Sequence, residues 1–163
     1  MSTTHIPTTG EPAPSRSAPV SVTIYHNDTA RFMPYEDGHL LIAVTSHWLD
    51  AVTDSTVDGD DPAAIGDWVY HAFNADLDIL DTQRPQPGGE ATFLAACVYR
   101  LLGHRSVSVG DVIAVDTGGH TQWLACDPYG WRPIDAPAPT NLSGAPLCAA
   151  GVYAHMANQR STR

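Results

Sequence analysis

Apolar and polar side chains alternate from Val20 to Tyr25. Val20, Val22 and Ile24 fall on one side and Ser21, Thr23 and Tyr25 on the other, a period of two that predicts a strand with one buried face. Leu40-Leu41-Ile42-Ala43-Val44 predicts a second strand, paired with the first across a turn at Pro34-Tyr35-Glu36-Asp37-Gly38. The period then lengthens. Asp61-Pro62 supplies an N-cap and a first-turn proline, and Ile65, Trp68, Val69, Ala72 and Phe73 follow at helical spacing, predicting an amphipathic helix. Beyond the break at Arg84–Gly89, Leu94, Cys97, Val98, Leu101 and Leu102 line one face of a predicted helix over 90–102, with Gly103 ending it. Cys97-Val98-Tyr99 would also suit a strand. Val112–Asp116, Thr121–Cys126 and Trp131–Ile134 predict three short strands separated by Thr117-Gly118-Gly119-His120 and Asp127-Pro128-Tyr129-Gly130. Leu147–Met156 predicts a short apolar helix. The expected fold is α+β: an N-terminal β-hairpin, one or two helices and a C-terminal β-meander forming a small sheet or partial barrel.

Length and composition set the organisation. The 163 residues suffice for one domain, and 43% are hydrophobic, enough for a core. Residues 1–19 hold four prolines among Ser, Thr and Gly, so they are expected to be a disordered tail. Residues 20–136 form the expected single domain, and 137–163 a Pro/Ala-rich linker with a short C-terminal segment. The tail has no apolar signal region, and no stretch is long enough to span a bilayer. Cys97, Cys126 and Cys148 are three thiols without a CxxC pair, which predicts reduced cysteines and a cytoplasmic protein without membrane attachment.

The formal net charge of -10 is unevenly placed. Residues 50–90 carry ten acids against Arg84 alone, whereas 91–163 carry four acids and five arginines. General phosphate-backbone binding is therefore disfavoured. The acidic run Asp50, Asp54, Asp58, Asp60 and Asp61 is the candidate contact surface for a basic protein partner. Asp54, Thr56, Asp58, Gly59 and Asp60 imitate the start of a calcium loop. Ile65 stands where its closing glutamate belongs, so no metal is expected there.

Other chemistries find thinner support. Cys97, Cys126, Cys148, His104, His120 and His155 are zinc-ligand types, but none lie at short ligand spacing. Cys97, His120 and Asp127 occur in the order of a thiol hydrolase. Cys97 is expected inside its helix, packed with Leu94 and Leu101, where a thiol is inert. No catalytic residue and no cofactor are assigned. Arg100, Arg105 and Arg132 with Tyr129 and Trp131 offer a small basic and aromatic patch, the basis of an alternative nucleic-acid-binding reading. Arg105, Asp111, Trp131 and Arg132 are its candidate ligand surface.

The string Gly103-His104-Arg105-Ser106-Val107-Ser108-Val109-Gly110-Asp111-Val112-Ile113 leads into Gly118-Gly119, then Trp123-Leu124-Ala125-Cys126-Asp127, then Tyr129-Gly130-Trp131. This resembles the signature of YodL-like domains over residues 103–134, with Arg105 inserted and Gly110 where serine is more frequent. The resemblance implies an association with mobile elements and carries no established activity. The local chemistry of Gly110-Asp111 predicts a tight turn in which the aspartate bonds nearby amides, so Asp111→Asn should cost under about 1 kcal/mol. The expected function is that of a non-enzymatic accessory protein of a mobile element, or of a related defence or counter-defence system, acting by protein–protein binding. The alternatives are a small nucleic-acid-binding β module and a Cys-dependent hydrolase.

Overall fold

The alternation that begins at Val20 produces the central strand of an open sheet. In the computed structural model, which describes residues 20–49 and 61–148, β1 (Val20–Asn27) lies between β2 (Leu41–Trp48) and β3 (Val112–Thr117), antiparallel to both. β4 (His120–Asp127) and β5 (Gly130–Ile134) continue the sheet beyond β3 as a meander. On the other side the short strands β6 (Leu142–Ser143) and β7 (Leu147–Cys148) run parallel to β2. The seven-stranded sheet is mixed and does not close into a barrel.

Three helices cover one face. α1 (Pro62–Asn74) is capped as its sequence predicts: the Asp61 carboxylate accepts from the Ala63 amide at 3.0 Å, and Ile65, Trp68, Val69, Ala72 and Phe73 are all buried. α2 (Leu77–Thr82) is a short additional helix, and α3 (Gly89–Leu101) follows it. Together with Val20, Val22, Ile24, Ile113 and Leu124 from the sheet these side chains make the main core. A methyl group on Gly66 would lie 2.6 Å from the Trp131 ring, so the absent side chain lets α1 rest against β5. Tyr35, Leu41, Val112 and Ala125 form a smaller cluster with Tyr25 and Trp123, which share the other parity.

Two expectations are corrected. α3 buries Thr92, Ala95, Ala96, Val98 and Tyr99 and leaves Leu101 84% exposed. Cys97 is half-buried on the outer side. The helix carries two apolar stripes, and the one with alanines lets it approach α1 closely. Leu147 and Cys148 are strand residues, because β2 offers them an open edge; the rest of the helix expected over Leu147–Met156 lies outside the described residues. Among the described residues no helix is long and apolar enough to cross a membrane.

Candidate functional site

Asp111 immediately precedes β3 and is fully buried, its side chain 1% exposed. A buried carboxylate requires partners on every lone pair, and four donors converge on this one. Oδ1 accepts from the Asn27 amide at 2.9 Å and Arg105 Nη2 at 2.7 Å; Oδ2 accepts from the Ser108 amide and Arg105 Nη1, both at 2.8 Å. Only the Ser108 contact is the local turn bond that the sequence predicts. The bidentate ion pair with Arg105 and the bond to β1 make Asp111 a tie across the molecule, inside the protein rather than on its ligand surface.

Asn27 extends the tie into the loop that follows β1. Its Oδ1 accepts from the Thr29 and Ala30 amides at 2.9 Å, and its Nδ2 donates to the Gly110 carbonyl at 3.1 Å. Thr29 Oγ1 accepts from the Leu40 amide, and the Asp28 amide donates to the Leu40 carbonyl, each at 2.8 Å. Gly110 has φ +94°, and a Cβ there would meet the Met33 carbonyl at 2.3 Å. Loop 28–40 is thus held at both ends and pressed against Gly110. Within it Phe32 has φ +65°, the one non-glycine residue in that region among the described residues, and the residue is 70% exposed. A conformation that costs about 1–2 kcal/mol persists where the surroundings over-determine it.

A cavity of about 390 Å³ lies beside this loop, lined in part by His26, Arg31, Ile42, His104 and Arg105. Tyr99 Oη donates to the Arg105 carbonyl at 2.6 Å and stands 2.7 Å from His26 Nε2. The phenol has a single proton, so the imidazole donates it the second bond and is the neutral Nε2–H tautomer. Burial, against the pull of Asp111, holds the His26 pKa down at about 4, in keeping with a neutral ring. Loop 28–40 (through Arg31), the start of β2 (through Ile42) and the residues after α3 (through Gly103 and His104) border this one cavity. Phe32, Met33, Leu40, Ile42, Leu101 and Leu102 of these segments are exposed.

The residues singled out by the sequence are dispersed. Asp50, Asp54, Asp58 and Asp60 lie outside the described residues, and Asp61 caps α1. Trp131 sits against Gly66. Arg132 pairs with Asp127 at 2.9 Å and donates to the Tyr35 carbonyl. Arg100 donates to the Ala75 carbonyl, so Arg100, Arg105 and Arg132 are each engaged within the chain. His120 and Asp127 stand at opposite ends of β4, about 23 Å apart at strand rise, and do not join Cys97 in a triad. Burial raises the Cys97 pKa, the reverse of an activated thiolate. Among the described residues no three His, Cys, Asp or Glu side chains gather to hold a metal. The Phe32 corner escaped the sequence reading, although Asn27-Asp28-Thr29 before Arg31-Phe32-Met33 is a pattern for a side-chain-bonded turn displaying apolar residues. No protein-family model, no curated protein and no solved structure matches the chain.

Proposed function

We propose that this chain is a non-enzymatic binding module that engages another protein through the corner formed by loop 28–40 and the C-terminal end of α3. The observation that carries this reading is Phe32: an exposed phenylalanine kept in the left-handed region by a loop tied to Asn27, Gly110 and Asp111. Exposed aromatic side chains on rigid supports make favourable anchors, because little conformational entropy is lost on binding. The neighbouring Met33, Leu40, Leu101 and Leu102 add apolar area, and Arg31 beside the cavity adds a cation for orientation. The acidic run Asp50, Asp54, Asp58, Asp60 and Asp61 then acts as a steering surface that speeds encounter with a basic partner. A mobile-element or defence setting remains what the YodL-like string implies. Engagement of Arg100, Arg105 and Arg132 within the chain weighs against the nucleic-acid alternative.

The test is an affinity capture from native host lysate with three baits: the wild-type chain, Phe32→Gly with Leu101→Ser, and a chain with Asp54, Asp58 and Asp60 changed to Asn. Proteins captured by the wild type should be lost from the Phe32/Leu101 bait, while the acidic variant should keep them at low salt with reduced yield. Capture that survives the Phe32/Leu101 changes and vanishes with the acidic changes would transfer the contact to the acidic run.

A further inference from the structure

The cavity beside loop 28–40 is bordered by more hydrogen-bond donors than the fold itself uses. Arg31 lines it and makes no hydrogen bond or ion pair among the described residues. Arg105 has five N–H groups. Its Nη1 bonds Asp111 and the Ser106 carbonyl and its Nη2 bonds Asp111 once, so the Nε proton and one Nη2 proton remain. The half-buried His104 ring lies 5.2 Å from that of Tyr99 and 6.1 Å from that of His26, with no hydrogen bond among the described residues. Burial lowers the His104 pKa, so the ring is neutral and carries one N–H. Asn27 is fully engaged: its Oδ1 accepts the Thr29 and Ala30 amides, and its Nδ2 donates to the Gly110 carbonyl and lies 3.0 Å from His39 Nδ1. On the accepting side stand His26 Nδ1, left without a proton by the Nε2–H tautomer, and the exposed Asp28. Ile42, Ala43 and Val44 supply an apolar wall.

We propose that this cavity takes an acidic side chain of the partner protein, with Arg31 as its charged contact. The proposal rests on the reading of the corner as a protein-binding surface and names the chemistry that enters beside it. Surplus donors call for a ligand rich in acceptor oxygens, and charge decides which kind. Arg105 is neutralised by Asp111 at 2.7 Å, so Arg31 is the unspent cation of the cavity among the described residues. The charge of Arg31 is felt at His26, together with those of Arg105, His104 and Asp111; Asp28 is not among them, which puts Arg31 on the cavity side and the Asp28 carboxylate at the outer rim. A carboxylate matches one cation. A phosphate dianion would leave a charge uncompensated close to Asp28 and Asp111. Arg31 can meet a carboxylate with two parallel N–H bonds. His104 and the spare Arg105 protons are the further donors, and the methylene stem of the acid lies along Ile42, Ala43 and Val44. His26 Nδ1 then accepts a backbone amide of the same segment. The end of α3 adjoins the cavity, and two of its carbonyls are already occupied: Val98 and Arg100 accept from the Leu102 and Gly103 amides at 3.1 and 2.9 Å. The acidic run attracts a basic surface, whereas Arg31 accepts an acid. A partner carrying both signs is thereby fixed in one orientation, since any other sets like charges together.

The experiment titrates the full-length isotope-labelled chain, at low salt, with three probes: N-acetylglutamate N-methylamide, the corresponding glutamine amide, and inorganic phosphate. The glutamate probe should shift the ring resonances of His26 and His104 and the Arg31 Nε–H, and should bind about tenfold more tightly than the glutamine probe. Arg31→Gln removes the cation without breaking a hydrogen bond among the described residues and should weaken glutamate binding about tenfold; Arg31→Lys should restore part of it. Absence of shifts with the glutamate probe, equal binding of the glutamate and glutamine probes, or glutamate binding that survives Arg31→Gln would each overturn the proposal. Phosphate binding tighter than glutamate binding would overturn it as well, by assigning the cavity to a phosphate group. No partner protein enters this titration. Its failure leaves the Phe32 contact to be decided by the capture assay, and a failed capture assay leaves the charge selectivity of the cavity as measured.

Discussion

Phe32, Asp111 and His47 each hold a side chain or backbone in a state that water would not favour. Replacing Phe32 by glycine removes the left-handed penalty and gives up little burial, so Phe32→Gly should raise unfolding stability by about 1 kcal/mol. The same variant should lose partner binding, a separation read by urea denaturation beside the capture assay. Asp111→Asn departs from the sequence-based expectation. The amide cannot reproduce a bidentate ion pair and leaves Arg105, itself only 26% exposed, without its counter-charge. A loss of about 2–4 kcal/mol is expected in denaturant unfolding, discounted at the low end for the partial exposure of Arg105. His47 is buried against Trp68 and Phe73; its Nε2 bonds Thr45 Oγ1 at 2.9 Å and its Nδ1 has no hydrogen-bond partner among the described residues. Burial lowers its pKa from 6.5 to about 4. The unfolded chain therefore takes up a proton first as pH falls, and stability present above pH 6.5 is lost progressively down to pH 4. His26 acts in the same direction. The urea midpoint should drop across this window, and His47→Leu should make the slope shallower, whereas an unchanged slope would place the effect on the carboxylates.

At the scale of elements, close approach is set by what is missing. α1 meets β5 at Gly66 and loop 28–40 meets the β3 turn at Gly110, both contacts that a Cβ would obstruct. Gly66→Ala should cost about 1–3 kcal/mol through overpacking against Trp131, with a changed tryptophan emission in the folded state. Gly110→Ala combines positive φ with the 2.3 Å approach to the Met33 carbonyl and should cost more than Gly66→Ala, besides disordering the Phe32 loop. α1 was readable because one apolar stripe, a proline and an N-cap all agreed. α3 was not, because Leu94, Cys97 and Leu101 form as regular a stripe as Ala95, Val98 and Tyr99. Only the space beside α1 distinguishes them: Trp68 Nε1 donates to Thr92 Oγ1 at 3.1 Å, which turns the alanine side inward.

Across the whole molecule the described segments divide into a core and two opposed ends. The core is one mixed sheet under three helices; one end carries the Phe32 corner, and toward the other the first turn of α1 borders a cleft against β4 and β5. Both ends draw on segments far apart in sequence, and that separation marks the boundary of what could be read from residues alone. Period and turn chemistry are properties of neighbours within a few positions, so the sequence by itself determined the strand that begins with the Val20–Tyr25 alternation, the strands of the β-meander, the capped helix after Asp61 and the turn at Gly110. Burial of a charge and strain in a backbone depend on what is brought alongside. Asp111 meets Asn27 across 84 positions and Trp131 meets Gly66 across a helix–strand contact, while β6 and β7 become strands because the edge of β2 is open to them. The tertiary structure alone decided that Asp111 ties the molecule together, that Phe32 is held exposed, and that the acidic cap of α1 borders a cleft against β4 and β5.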